Sequence, residues 1–288
     1  MRRAADPGPA RPALRRILNL LQRRAAALGL RGPASSGAQA AVSLGHEHEH
    51  EIRALFRGRV AFTGDHPMID RPLLILAFTN RSGSNLLADY LLQTGQVAGL
   101  GEFLNHETVA RQKDALAIQS APDYLLALAR RLSREGQQFG VKASAEQLDF
   151  LIRWKLPRLF TRTTVVHIHR DDILGQAVSH WIALQTGQWT SQQDRRTVAA
   201  DFDVTTTQTI AHNVLRSNSA IRMKCGLYCL PYVSVSYEEL TFDPAATIAR
   251  IGQIARINLG AWKPTEPRIE RQATPLNNAL KAKMMLKI

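Results

Sequence analysis

Long apolar runs are missing from this 288-residue chain. Arginines and polar residues interrupt every stretch of about 18 residues that could cross a bilayer as a helix, Leu14 to Leu30 included. The same interruptions, at Arg15, Arg16, Arg23 and Arg24, remove the apolar centre a secretory signal needs, so none is expected. Cysteine is scarce. Cys225 and Cys229 are too few for a disulfide framework and lack the companions of a zinc site, so both are read as reduced core thiols. Acidic residues are also short, 24 against 37 lysines and arginines, which leaves a formal net charge of +13. Such an excess suits a polyanionic partner: nucleic acid, an acidic membrane or a nucleotide carrying several phosphates. The arginines are dispersed and have no interleaved aromatic platforms, which argues against nucleic acid.

Residues 1–57 differ in composition from the rest, being rich in Ala, Arg, Gly and Pro and poor in acids before Glu47. They are expected to be a flexible basic extension, with one domain over residues 58–288. Within the extension, residues 13–30 can form a basic amphipathic helix with Leu14, Ile17, Leu18, Leu21 and Ala25 on one side. That segment reads as a solvated arm, as a peripheral contact with an anionic membrane, or as a targeting peptide. The alternating tract His46-Glu47-His48-Glu49-His50-Glu51 has nothing beside it to fix ligands and reads as a solvated linker.

From Arg71 the pattern becomes strand-length apolar runs alternating with helical stretches. Leu73 to Phe78 is continuously apolar, as in a parallel strand covered on both faces, and Ser84 to Gln93 follows as a helix ended by Gly95. Phe139 to Ala143, Thr164 to Ile168 and Tyr232 to Tyr237 are further strands. Phe202 to Leu227 reads as wholly helical and Asp243 to about Ile257 as another helix, while Pro264 to Ile288 lacks patterning and reads as a tail. The fold class this predicts is α/β, with three layers: a central, mostly parallel sheet and helices on both faces, ligands binding at the carboxyl ends of the strands.

The first such end carries Thr79-Asn80-Arg81-Ser82-Gly83-Ser84-Asn85. A polar turn that runs into a helix aims unpaired N–H groups and the positive end of the helix dipole at one point. Arg81 adds a charge, Ser82 and Ser84 add hydroxyl donors, and Gly83 lets the backbone come close. The alternative is a serine-rich helix cap without a ligand. The loop has one glycine and no lysine, so it does not meet the Walker A pattern and hydrolysis of ATP or GTP is not expected.

The ordered pieces Arg81-Ser82-Gly83-Ser84-Asn85-Leu86-Leu87, Thr94-Gly95, Glu102-Phe103-Leu104, Phe139-Gly140-Val141-Lys142, Arg170-Asp171-Asp172, Gln176-Ala177-Val178-Ser179, Gln185-Thr186-Gly187-Gln188-Trp189, Tyr237-Glu238-Glu239-Leu240 and Arg271-Gln272-Ala273 resemble the bacterial trehalose 2-sulfotransferase-like family. Asn85 stands where that family usually has threonine, and Asn80 where it has Pro or Gln. The resemblance implies a P-loop-like domain that moves a sulfuryl group from 3′-phosphoadenosine 5′-phosphosulfate (PAPS) to a hydroxyl of a carbohydrate or glycolipid, without a metal. It implies that Arg81, Ser82, Gly83, Ser84, Asn85 and Leu86 hold the 5′ end of the donor, and that Arg170, Ser179 and Arg271 hold the 3′-phosphate. Glu102 would be the base that takes the hydroxyl proton, with His106 as a neighbouring alternative. Arg81 would stabilise the leaving oxygen, with Lys142 helping there or binding the acceptor. Trp181 reads as core, and Trp189 as lining an acceptor pocket or a homodimer contact. The expected setting is cytoplasmic, with peripheral membrane association the alternative if the basic arm contacts an anionic surface. A second reading is a non-catalytic nucleotide- or membrane-binding protein that keeps the fold.

Overall fold

The computed structural model describes residues 47–189, 202–260, 262–268 and 275–286. Along the chain it runs α1 (Glu47–Leu55), β1 (Ile69–Phe78), α2 (Ser84–Gln93), β2 (Val97–Gly101), α3 (His106–Ala115), α4 (Ala121–Leu132), β3 (Gln138–Ala143) and α5 (Ala145–Arg153). After a 3-10 turn follow β4 (Phe160–His169), α6 (Ile173–Thr186), α7 (Val204–Leu227), β5 (Tyr232–Ser236), α8 (Tyr237–Phe242), α9 (Pro244–Ala255) and α10 (Pro275–Met285).

The centre of the sheet is β1, and its sequence explains the layers. Leu73 to Ala77 are wholly buried; Leu73, Ile75 and Ala77 enter one apolar cluster, Leu74, Leu76 and Phe78 the other. Side chains two apart share a face, so a run of consecutive apolar residues needs helices on both sides. One side is closed by α1, α4 and α5, the other by α2 and α9. The strand order is β2-β3-β1-β4-β5 and every pairing is parallel.

Two expected strands are longer than the apolar runs that announced them. β1 reaches back to Ile69 through Pro72, whose missing N–H is accommodated where the register with β4 shifts between Ile69 and Pro72. β4 spans Phe160–His169, since its outer threonines pair as well as its valines do. β2 was not anticipated. It holds two glycines in five residues, and a Cβ on Gly99 would sit 2.6 Å from the Gly140 carbonyl of β3.

Three other readings are corrected. Instead of a solvated linker, the His-Glu tract from Glu47 onward begins α1, because Ile52 and Phe56 further along pack into the same cluster as β1 and β3. Burying two such side chains is worth about 1.5–3 kcal/mol each, and the packed unit therefore begins before residue 58. The tail carries α10, whose Leu280 and Met284 pack against Ala177, Val178 and Trp181 of α6 and Ile210 and Val214 of α7. Cys225 is buried as expected, but Cys229 is exposed in the turn after α7. Trp181 is core. Residues 13–30, His46 and Arg271 lie outside the described residues, among which no helix is long and apolar enough to cross a membrane.

Candidate active site

β1 lies between β3 and β4, and from its carboxyl end the chain turns through residues 79–83 into α2. In open parallel sheets this switch point leaves a crevice. The turn is tight: Ser82 N–H donates to the Thr79 carbonyl at 3.2 Å, and Arg81 (φ 65°) and Gly83 (φ 90°) both adopt left-handed backbone. No side chain caps α2. The Ser82 hydroxyl is fully buried and without a hydrogen-bond partner, which is unfavourable unless an acceptor such as an anion oxygen meets it. The loop is held from below by Gln176 of α6, whose buried amide donates to Thr79 Oγ1 at 2.9 Å and to the Asn80 carbonyl at 2.7 Å.

Thr79 also reaches Asn218 Oδ1 of α7 at 3.4 Å, and the same oxygen accepts from His167 Nε2 at 3.1 Å. That fixes the tautomer: Nε2 carries the proton and Nδ1 accepts the Tyr232 hydroxyl at 2.8 Å. Burial pushes the His167 pKa down to about 4, the Asn218 bond opposing and His169 and Arg222 adding to the fall. A neutral imidazole thus belongs to the framework beneath the loop.

Beside the loop lie two guanidinium groups. Arg81 donates through Nε to Ser179 Oγ of α6 at 3.0 Å and through Nη1 to the Trp189 carbonyl at 2.6 Å. Arg170, just past β4, stacks over the Tyr237 ring at 4.7 Å and lies 3.8 Å from Glu238 Oε1. Tyr237 in turn packs on Gly83, where an added Cβ would come within 3.0 Å of its ring. Burial and then the charge of Arg170 lower the Arg81 pKa, so the two cations repel one another. Arg81 also contributes, after burial, to holding His180 down at about 4. The His180 ring meets Trp189 edge-on, with centroids 5.6 Å apart.

A third group forms where β2 and β3 end. Gly101 pairs with Val141, so Glu102 and Lys142 follow as neighbours; Gly99 (φ 91°) and Leu100 (φ 54°) make the irregularity that turns β2 there. Lys142 is 3% exposed, and its ammonium donates to Glu102 Oε1 at 2.7 Å and to Asn85 Oδ1 at 2.6 Å while lying 4.6 Å over the Phe78 ring. Burial pushes the Lys142 pKa down and Glu102 opposes it. The Glu102 side chain keeps about half of its surface, 52%, open to solvent. One oxygen of this half-exposed carboxylate is thus fixed by a cation, and the group can accept a proton from a hydroxyl brought to it.

Across residues 73–279, well over half of the chain, the sequence matches the profile of the Stf0 sulphotransferases. The chain belongs to the Stf0 sulfotransferase family. Among solved structures, this sulfotransferase is similar to a sulfotransferase domain from the Synechococcus PCC 7002 olefin synthase, at 15% identity and a TM-score of 0.47, over 78% of this chain and 98% of that one. It is also similar to a sulfotransferase domain from the curacin biosynthetic pathway, at 14% identity and a TM-score of 0.43, over 69% and 76% of the two chains. Membership rests on the profile match. No curated protein matches the chain.

In this sulfotransferase the expected site residues fall into two adjoining groups. Arg81 and Ser179 meet beside the loop, near enough to Arg170 to feel its charge, and Asn85, Lys142 and Glu102 meet as the other group; Ser82, Gly83, Ser84 and Leu86 lie along the loop and the first turn of α2. Arg81 and Ser179, expected at opposite ends of the donor, are in direct contact, because Arg81 reaches across to Ser179. Lys142 is buried. His106 bonds instead to His48 of α1, with 2.8 Å between Nδ1 atoms. Trp189 is partly exposed, 37%, and its carbonyl holds Arg81. Sequence reasoning did not assign Gln176 and Tyr237 their parts in supporting the loop, although both sat in quoted motifs; Asn218, inside a long helix, carried no signal at all.

Proposed function

We propose that this sulfotransferase takes PAPS as donor and a hydroxyl of a carbohydrate or glycolipid as acceptor. The observation that carries the reading is the pair of mutually repelling cations Arg81, bonded to Ser179, and Arg170, stacked on Tyr237, beside a helix N-terminus with no side-chain cap that follows the buried, unpartnered Ser82 hydroxyl. Two cations that repel each other are stabilised by a bound dianion, and a helix N-terminus favours a second negative group. A donor with a 3′-phosphate and a 5′-phosphosulfate supplies both.

In the reaction, the acceptor hydroxyl oxygen attacks sulfur as the bond from sulfur to the bridging oxygen breaks. The hydroxyl proton passes to Glu102, whose other oxygen is fixed by Lys142. Negative charge grows on the bridging oxygen and is stabilised by the loop N–H groups, Arg81 and the Lys142 ammonium. The departing product is 3′-phosphoadenosine 5′-phosphate. Burial of Lys142 strengthens its field at that oxygen, since less water screens it.

Calorimetric titration with 3′-phosphoadenosine 5′-phosphate and transfer of labelled sulfate to sugar and lipid fractions test the reading. Saturable binding is expected, weakened about 100-fold by Arg81→Ala, the loss typical of two or so charge-assisted hydrogen bonds. Absence of binding in the wild type, or an Arg81→Ala protein that binds equally well, refutes the donor. Binding and loss on substitution without any labelled product would favour the non-catalytic reading.

A further inference from the structure

The departure from the family pattern at Asn85 has a partner in the structure. An ammonium group has three N–H donors and no acceptor, so only the amide oxygen of Asn85 can face Lys142, and the observed Oδ1 contact at 2.6 Å satisfies this. Lys142 then has three partners: Asn85 from the first turn of α2, Glu102 past the end of β2, and the face of Phe78 at the end of β1. The charge facing it is the Glu102 carboxylate; Asn85 and Phe78 contribute a dipole and a π face.

Resting on the proposed PAPS reaction, we propose that Asn85 is a positioning residue: its carbonyl oxygen clamps the Lys142 ammonium against Glu102, keeping the buried lysine charged and the carboxylate turned toward the acceptor. The geometry requires such a third contact. A lysine at 3% exposure has lost nearly all its water, and an ion pair with a half-exposed carboxylate replaces only part of it. Asn85 completes the shell without adding a second negative charge, which would compete with the anionic donor for the same ammonium. The left-handed turn at Gly83 places the first turn of α2 where Asn85 can do this.

The threonine and valine variants of Asn85 have nearly the same shape and differ in one acceptor oxygen, so the pair isolates the contact. Lysine Nζ titration by NMR in the unliganded full chain, with Lys142→Met identifying the signal, is expected to show Lys142 losing its proton about one pH unit lower in Asn85→Val than in Asn85→Thr. The alkaline limb of kcat/KM for sulfate transfer should move down with it, and kcat should fall about tenfold, one unit's worth of stabilisation, with Asn85→Thr keeping most of both. Should Asn85→Val not fold, Asn85→Ala carries the same comparison. A Lys142 titration that is equal in the valine and threonine variants overturns the proposal, as does a limb that stays in place while the lysine moves. A wild type that transfers no sulfate from PAPS but shows the lysine shift would instead refute the donor and leave the clamp standing.

Discussion

Replacing Gly83 by alanine should damage this protein for two separable reasons, and a double-mutant cycle can divide them. The backbone at Gly83 has φ 90°, a left-handed conformation that costs a residue with a Cβ about 1–2 kcal/mol. The new methyl would also come within 3.0 Å of the Tyr237 ring, and overpacking of this kind costs about 1–3 kcal/mol. In the wild-type background Gly83→Ala should therefore lower the unfolding free energy by about 3 kcal/mol. In a Tyr237→Ala background the clash is gone and only the backbone term, about 1–2 kcal/mol, should remain. Urea unfolding of the four proteins measures both, provided the dependence on denaturant is unchanged. Binding provides a second readout. Tyr237 supports Arg170, so Gly83→Ala should also weaken 3′-phosphoadenosine 5′-phosphate binding by displacing that ring. Equal costs in the two backgrounds, within about 0.5 kcal/mol, would show that Tyr237 is not what the glycine accommodates.

Acid stability should depend on His167. Its folded pKa of about 4 lies below the unfolded value, so the native state binds fewer protons, and stability present above about pH 6.5 is lost as pH falls toward 4. For this buried group the loss approaches about 3 kcal/mol, and His167→Gln should flatten the curve of urea midpoint against pH over that window. Glu102→Gln should act at the other end of the scale. It removes the group that raises the depressed pKa of Lys142, so stability should climb with pH over a wider alkaline range than in the wild type; an unaltered alkaline slope in urea unfolding would contradict the ion pair.

Much of the architecture was legible because two periods in the sequence are unambiguous. Six consecutive apolar residues from Leu73 to Phe78 demand cover on both faces, and Leu87, Tyr90 and Leu91 recur as a helix pressed on one of them. β2 escaped because its glycines carry no apolar signal: it exists by backbone pairing with β3, and only a neighbour in space supplies that. α1 and α10 escaped for a related reason. Each buries only one or two apolar residues along its whole length, so composition reads them as arm and tail, while packing on the rest of the fold decides that they form.

The sequence by itself determined the polar turn at residues 79–85 between a strand and a helix, since strand, turn residues, helix and the Arg81 charge are all local, and it determined the family through the order of its motifs. Only tertiary structure decided which distant residues share a site. Ser179 meets Arg81 because α6 crosses beneath the loop, and Lys142 meets Glu102 because Gly101 registers with Val141. The physical reason is that hydrogen bonds and ion pairs act over a few ångströms, whereas the residues they join here stand 40 to 98 positions apart along the chain.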